Sequence, residues 1–202
     1  MQKQKVFTVR GMAEIGIFTA IAFVLDYLQG PIWHGLFTSG GSIGFAMVPI
    51  LFLAYRRGFL SAFISGLLLA LIQMVDGIYT LPNAAWYLVV IQVALDYVLA
   101  YPLVAFAGLF KPLFDKANTK GDKILWIVVG SVIGGLLKFM CHFLSGFIFW
   151  GNTEFAGGPV LYSLMYNGTY MLPNIIICTG VMVLLVVIQP KLFIPKEYQV
   201  EE

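Results

Sequence analysis

Long apolar segments separated by short connections are the feature that most constrains how this chain folds. A helix that crosses a bilayer needs about 20 mostly apolar residues. Sustained alternation of apolar and polar residues, which a barrel strand needs, is missing from these segments. The sequence therefore predicts an all-α integral membrane protein, a single domain over residues 1–202, with six transmembrane helices near residues 11–29, 42–55, 58–77, 86–110, 124–150 and 159–189.

The composition supports the membrane class. Charged residues make up 11% of the 202 residues and hydrophobic residues 60%, with a mean hydropathy of +0.89. Soluble domains have about 25% charged residues, so this chain has too few to cover a globule with polar surface. An ordinary cytosolic enzyme, a disordered protein and a nucleic-acid binder are excluded, and the lipid bilayer is the expected surrounding.

The basic residues predict the orientation. Eleven of the twelve fall in the terminal segments and in every second connection, and none lies in the connections 30–41, 78–85 and 151–158. Cytoplasmic loops carry the excess of Lys and Arg. Both termini are therefore predicted to be cytoplasmic, together with the connections that hold the eleven: Lys3, Lys5, Arg10, Arg56, Arg57, Lys111, Lys116, Lys120, Lys123, Lys191 and Lys196.

The twelfth basic residue, Lys138, lies inside the fifth helix. A charge there costs about 2.5–3.5 kcal/mol even on the lenient insertion scale, so it is a functional candidate. From the helical rise, Asp96, Lys138, His142 and Asn167 lie about 12–18 Å below the outer helix ends. Three helices thus place polar groups at a similar depth, which predicts a site open to the outside. A structural ion pair between Asp96 and Lys138 is an alternative that does not exclude a ligand role.

Four residues at intervals of four form one stripe on the fifth helix: Lys138, His142, Gly146 and Trp150. Gly146 removes a side chain from this stripe, which we expect to leave room for a flat ring. Trp150 is also compatible with an interfacial aromatic belt, but its place on the polar stripe favours a ligand contact. Aromatic walls with one acidic group suit a flat, cationic or hydrogen-bonding heterocycle.

Several chemistries have no signature here. The chain has no G-x-x-x-x-G-K-[ST] phosphate loop, no G-x-S-x-G elbow and no zinc-ligand spacing. Cys141 and Cys178 lie in apolar segments and are interpreted as small hydrophobic residues. We therefore expect neither catalytic residues, nor a metal, nor a cofactor.

A possible partner surface lies on the first helix. Gly16 and Ala20 have the small-xxx-small spacing that allows two membrane helices to approach closely. Packing against another helix of the same chain is the alternative explanation.

The most specific motif is K-x3-H-x3-G-x3-W over residues 138–150, followed by Y-S-L at 162–164 and N-G at 167–168. P-I at 49–50, R-R-G at 56–58, L-D-Y at 95–97 and A-G-L-F at 107–110 fit the same pattern. Over essentially its whole length the sequence resembles the thiamine-specific substrate-binding (S) component of energy-coupling factor transporters.

This resemblance implies that thiamine binds in an outward-open pocket among helices four to six and the first outer loop. Trp150 would stack on the aminopyrimidine, and Asp96, paired with Lys138, would bond its polar edge. The remaining pocket residues implied are His142, Tyr162 and Asn167, with Tyr97 and Gly146 shaping the cavity.

Two departures from the family pattern concern the ligand contacts. Asp96 stands where the family has Glu, which keeps the charge but shortens the side chain. The tryptophan that covers the ligand in the family aligns near Gly40, whereas Trp33, the candidate in this chain, lies earlier in the loop. The Gly-rich segment 39–42 is a hypothetical mobile lid.

The resemblance also implies partners, namely a transmembrane coupling protein that meets Gly16 and Ala20, and two cytoplasmic ATPases. The protein would be a binding subunit of a bacterial plasma membrane and not an enzyme. Other hypotheses are an S component for riboflavin or hydroxymethylpyrimidine, and an autonomous proton-coupled transporter that uses Asp96, Lys138 and His142. An intramembrane hydrolase is less favoured because no activated nucleophile is evident.

Overall fold

The structure is a computed structural model that describes residues 8–37, 40–151, 153–195 and 197. Within those ranges the regular structure is entirely helical. The elements are α1 Val9–Trp33, α2 Met47–Arg57, α3 Phe59–Asp76, α4 Trp86–Lys116, α5 Lys120–Phe149 and α6 Gly158–Ile188, followed by a 3-10 turn at Pro190–Phe193.

Four of these helices, α1, α4, α5 and α6, are long and apolar enough to cross a membrane. The apolar part of α3 is shorter, at Phe59–Val75, and α2 has 11 residues. Large apolar side chains are exposed on the outer faces, among them Val24 on α1, Val90 on α4 and Ile176 on α6. The predicted class, an all-helical membrane protein, is confirmed, and four of the six predicted crossings meet the length criterion.

The helix boundaries differ from the expected ones mainly around the connection between α1 and α2. Helix α1 continues through Pro31 to Trp33 instead of ending near residue 29. Helix α2 begins at Met47 instead of residue 42, because the backbone before it is bonded to α6. There, the Gly44 N–H donates to Asn174 Oδ1 at 2.7 Å. Helix α4 runs past residue 110 to Lys116 through a 3-10 segment at Ala105–Phe110.

Helix α2 lies at the centre of the helical packing. Nearly all of its residues are buried, and Ile50, Leu53 and Tyr55 are completely enclosed. Helices α4 and α5 approach closely beside it, since a Cβ at Gly134 would lie 2.6 Å from the Val104 carbonyl oxygen. This close packing fixes the helices that carry the candidate site.

The N-terminal part of α1 and the C-terminal end of α2 contact the segment that follows α6. Glu14 accepts hydrogen bonds from Arg56 and Arg57, with Nε–Oε2 distances of 2.8 Å for both. Arg56 also donates to the carbonyls of Leu192 and Ile194, and Arg57 pairs with Glu197. The bond from Arg57 holds the pKa of Glu197 below its ordinary value. These contacts bring together, at one end of the molecule, segments predicted to be cytoplasmic.

Candidate functional site

A cavity of about 510 Å³ opens among α1, α3, α4, α5, α6 and the connection after α1. Small-molecule sites usually have volumes of roughly 300–1,000 Å³. Eight of the nine candidate binding residues line it: Asp96, Tyr97, Lys138, His142, Gly146, Trp150, Tyr162 and Asn167. Trp33 is not among the lining residues, because its ring packs against Phe37 at a centroid distance of 6.0 Å. A role for Trp33 in covering a ligand stays a prediction.

Asp96 and Tyr97 lie in a π-helical segment of α4, Ala94–Leu99. A π-helix has wider turns than an α-helix and occurs frequently at functional sites. The local geometry turns both neighbours toward the cavity, although successive residues of a regular α-helix point well apart. The sequence offered no signal for this change of helix type.

The Asp96 carboxylate is held by α5. Its Oδ2 accepts a hydrogen bond from Ser145 Oγ at 2.5 Å, and its Oδ1 lies 3.4 Å from His142 Nδ1. The expected ion pair with Lys138 does not form among the residues that the structure describes. Lys138 instead places its Nζ 3.4 Å from the centre of the Tyr101 ring.

Gly146 has a packing role that differs from the expected one. A Cβ there would lie 2.4 Å from Ser163 Oγ and 2.8 Å from Asn167 Nδ2. The space freed by the missing side chain is thus occupied by α6 and not left for a ring. Asn167 Nδ2 donates to the Ser163 carbonyl at 2.9 Å, and its Oδ1 accepts from Tyr170 Oη. Gly146 therefore sets how closely the Asn167 side chain approaches the stripe.

Aromatic rings form much of the outer wall. Trp150 stacks on Tyr79, with centroids 5.1 Å apart and planes inclined by 19°. Tyr162 stacks similarly on Tyr166, with centroids 6.0 Å apart. The connection between α3 and α4 is fixed by the buried Gln92, whose Nε2 donates to the Tyr79 carbonyl at 2.8 Å. The cavity thus offers flat apolar faces near a carboxylate.

The connection between α1 and α2 is bonded to α6. Tyr166 Oη donates to the Gly40 carbonyl at 2.9 Å, and Asn174 Nδ2 donates to the Ser42 carbonyl at 2.6 Å. Gly41 has φ +111 and lies against the Tyr170 ring, a position where a Cβ would come within 2.7 Å of that ring. Ser39, part of the hypothetical lid, lies outside the described residues, and lid motion stays a prediction.

Several residues that line the cavity were not predicted from the sequence. Asp26, which was not among the predicted site residues, lines the cavity together with Gln73 and Tyr101. Its spacing of three from Gln29 on one helix face is the signal that could have identified it. Among the described residues, no group of three or more His, Cys, Asp and Glu could hold a metal ion.

A helical membrane protein with a substrate-sized polar and aromatic cavity has the organisation of a small-molecule transport subunit. The chain belongs to the family described as Thiamine transporter protein (Thia_YuaJ), whose model matches residues 12–194. This membership confirms the predicted family and the prediction that the protein is not an enzyme. It also confirms the predicted location, since the chain is a multi-pass bacterial membrane protein.

Individual relatives cover nearly the whole chain. The thiamine transporter ThiT of Bacillus subtilis (strain 168) is 36% identical over 188 residues, covering 90% of this chain and 92% of the relative. ThiT of Lacticaseibacillus paracasei is 30% identical over 205 residues, covering 98% and 96%. A solved structure of ThiT from Listeria monocytogenes is 31% identical, with a TM-score of 0.74 and coverage of 91% of this chain and 96% of that one.

Proposed function

We propose that the chain is the thiamine-binding subunit of an energy-coupling factor transporter and that the cavity is its binding site. The observation that carries the proposal is the convergence of the K-x3-H-x3-G-x3-W stripe of α5 with Asp96 of α4 and Asn167 of α6 in one cavity. Its relatives named thiamine transporters support thiamine as the ligand.

The two rings of thiamine fit the chemistry of the lining. The aminopyrimidine is flat and carries an exocyclic amine, which can donate a hydrogen bond to the Asp96 carboxylate. The thiazolium is a cation, and cations are attracted to the faces of aromatic rings such as those of Trp150 and Tyr162. His142 and Asn167 complete the polar edge, while Tyr97 and Gly146 shape the wall.

The proposed orientation has six membrane crossings, both termini in the cytoplasm and the cavity open to the outside. Support comes from the sequence, in which eleven basic residues fall in the terminal segments and in every second connection. The joining of Glu14, Arg56, Arg57 and Glu197 at one end of the molecule agrees with it. The short α2 then crosses as a helix shielded from lipid by its neighbours.

The proposed partners are a transmembrane coupling protein and two cytoplasmic ATPases. Gly16 and Ala20 are exposed on α1, and a Cβ at Gly16 would meet no atom within 4 Å. A partner helix can therefore approach this face closely. Because the sequence has no phosphate loop, separate subunits would have to supply ATP hydrolysis.

A ligand titration tests the proposed function. The purified protein is titrated with thiamine, riboflavin and hydroxymethylpyrimidine, and binding is followed by calorimetry. We expect saturable binding of thiamine at one site, about a hundredfold or more tighter than the other two, a difference of about 2.7 kcal/mol. Tighter binding of riboflavin or hydroxymethylpyrimidine would assign the chain to another vitamin.

A second candidate function is a proton-coupled transporter. It is favoured by the contact between Asp96 and His142, whose Oδ1 and Nδ1 atoms lie 3.4 Å apart. Uptake into proteoliposomes separates the two functions. The proposed binding subunit requires the coupling protein, the ATPases and ATP. Uptake by the chain alone that collapses with the proton gradient would contradict the energy-coupling assignment.

A further inference from the structure

The environment of Lys138 is unusual for a charged group. The residue is 7% exposed, and none of the ion pairs found among the described residues includes it. Its Nζ lies 3.4 Å from the centre of the Tyr101 ring, the arrangement of a cation–π contact. A buried charge is destabilising unless an opposite charge lies near it.

The opposite charge is on α1, at the hydroxyl edge of the Tyr101 ring. Tyr101 Oη donates a hydrogen bond to Asp26 Oδ1 at 2.6 Å, and Asp26 is an acidic group whose charge acts on Lys138. The Asp26 carboxylate is itself held by Gln29 Nε2 at 3.0 Å and by Gln73 Nε2. Three helices and the π-interrupted α4 thus meet in one connected chain of contacts.

This chain of contacts has a physical consequence for the ring between the two charges. A phenol that donates to a carboxylate gains electron density, because hydrogen bonds in a connected network polarise one another. The face of the Tyr101 ring is then more negative and attracts the ammonium of Lys138 more strongly. Asp26 therefore both compensates Lys138 and fixes it against the ring.

We infer that Asp26 is a positioning residue of the ligand site, acting through Tyr101 to hold and compensate Lys138 in the cavity floor. The inference rests on the proposed function, since it concerns a cationic ligand. Asp26 and Lys138 together contribute no net charge, which leaves Asp96 to attract the cation. Without Asp26, the uncompensated Lys138 would repel a cationic ligand but not a neutral one of the same shape.

Two ligands of different charge test this role. The dissociation constants of thiamine and of its neutral analogue, with a thiophene ring in place of the thiazolium, are measured on the purified full-length chain. For Asp26→Asn we expect thiamine affinity to fall about tenfold or more, while that of the analogue changes by about threefold or less. Asp26→Glu keeps the charge and should retain the wild-type ratio of the two affinities.

Tyr101→Phe keeps the ring but removes its bond to Asp26. Like Asp26→Asn, it should therefore weaken the binding of thiamine more than the binding of the neutral analogue. Tyr101→Phe also tests the role of Asp26 if the Asp26→Asn variant does not fold. Asp122→Asn, at the far end of α5, is the control for loss of a carboxylate and should leave both affinities unchanged. An equal loss for both ligands, or no loss for either, would overturn the inference. If the wild type itself does not bind thiamine, the proposed function fails instead.

Discussion

The indole of Trp150 stacks on the phenol ring of Tyr79, with centroids 5.1 Å apart and planes inclined by 19°. Trp150 directly follows Phe149, the last residue of α5, whereas Tyr79 belongs to the connection between α3 and α4. The stack therefore joins the binding stripe to an outer connection that Gln92 fixes from behind. It gives Trp150 a defined orientation before any ligand enters.

Trp150→Ala should weaken thiamine binding about tenfold or more, about 1.4 kcal/mol or above, because a large aromatic contact is removed from the cavity wall. The matched control is Trp86→Ala, since Trp86 is 78% exposed at the outer end of α4 and does not line the cavity. Titration of both variants, each with an unchanged melting temperature, checks the prediction. Wild-type affinity in Trp150→Ala would remove this residue from the site.

Asp96→Asn should also weaken thiamine binding about tenfold or more, since an ionised acceptor is replaced by a neutral amide. Ser145→Ala removes one hydrogen bond to that carboxylate but keeps the carboxylate itself, so it should weaken thiamine binding less than Asp96→Asn does. Dissociation constants of the two variants provide the comparison. A larger loss in Ser145→Ala than in Asp96→Asn would mean that the carboxylate serves packing more than binding.

Gly146→Ala should destabilise the protein by about 1–3 kcal/mol and weaken binding, because the added Cβ overlaps Ser163 and Asn167. Gly168→Ala on α6 is the control, since its Cβ would meet only Leu172 Cδ1, at 3.9 Å. That variant should be neutral or slightly stabilising, because Ala favours the helix. Thermal unfolding with and without thiamine checks both; equal stability of the two variants would contradict the assigned packing role.

Glu14→Gln should lower stability by about 2–4 kcal/mol, because it leaves the nearly buried Arg56 and Arg57 side chains without their shared carboxylate. Asp115→Asn breaks the i,i+4 pair with Lys111 and should cost only about 0.3–0.5 kcal/mol. Denaturation midpoints of the two variants test the difference. Similar small losses of stability in both variants would show that the ion pairs of Glu14 with Arg56 and Arg57 contribute little to the stability of the protein.

Gly16→Leu should spare thiamine binding but block uptake by the assembled transporter, because it fills the face that a partner helix approaches. Gly180→Leu on α6 is the matched control, since a Cβ there also meets nothing within 4 Å. Uptake by reconstituted complexes distinguishes the two. If Gly16→Leu transports as well as Gly180→Leu, the coupling protein contacts another surface.

Much of the architecture was predictable because apolar length and the distribution of basic residues are encoded locally. The i,i+4 spacing of residues 138–150 likewise placed four side chains on one face without any tertiary information. Asp26 shows where this reasoning fails. It lies near the end of the first predicted helix and was not predicted as a site residue, because only the tertiary structure brings Tyr101 and Gln73 to its carboxylate.

The partner of Lys138 was mispredicted for a related reason. Asp96 lies at a similar depth, but its π-helical turn and the hydroxyl of Ser145 direct the carboxylate away from the ammonium. Backbone irregularities of this kind depend on the neighbouring helices and are not visible in hydropathy. Gly146 illustrates the same limit, since only the position of α6 shows what occupies the space beside it.

A structure determined with thiamine bound would test the central claim most directly. We expect thiamine in the cavity of about 510 Å³, with its aminopyrimidine against the indole of Trp150. Its exocyclic amine should lie within about 2.7–3.2 Å of an Asp96 carboxylate oxygen. Thiamine bound outside this cavity, or in the cavity with no contact to either Asp96 or Trp150, would contradict it.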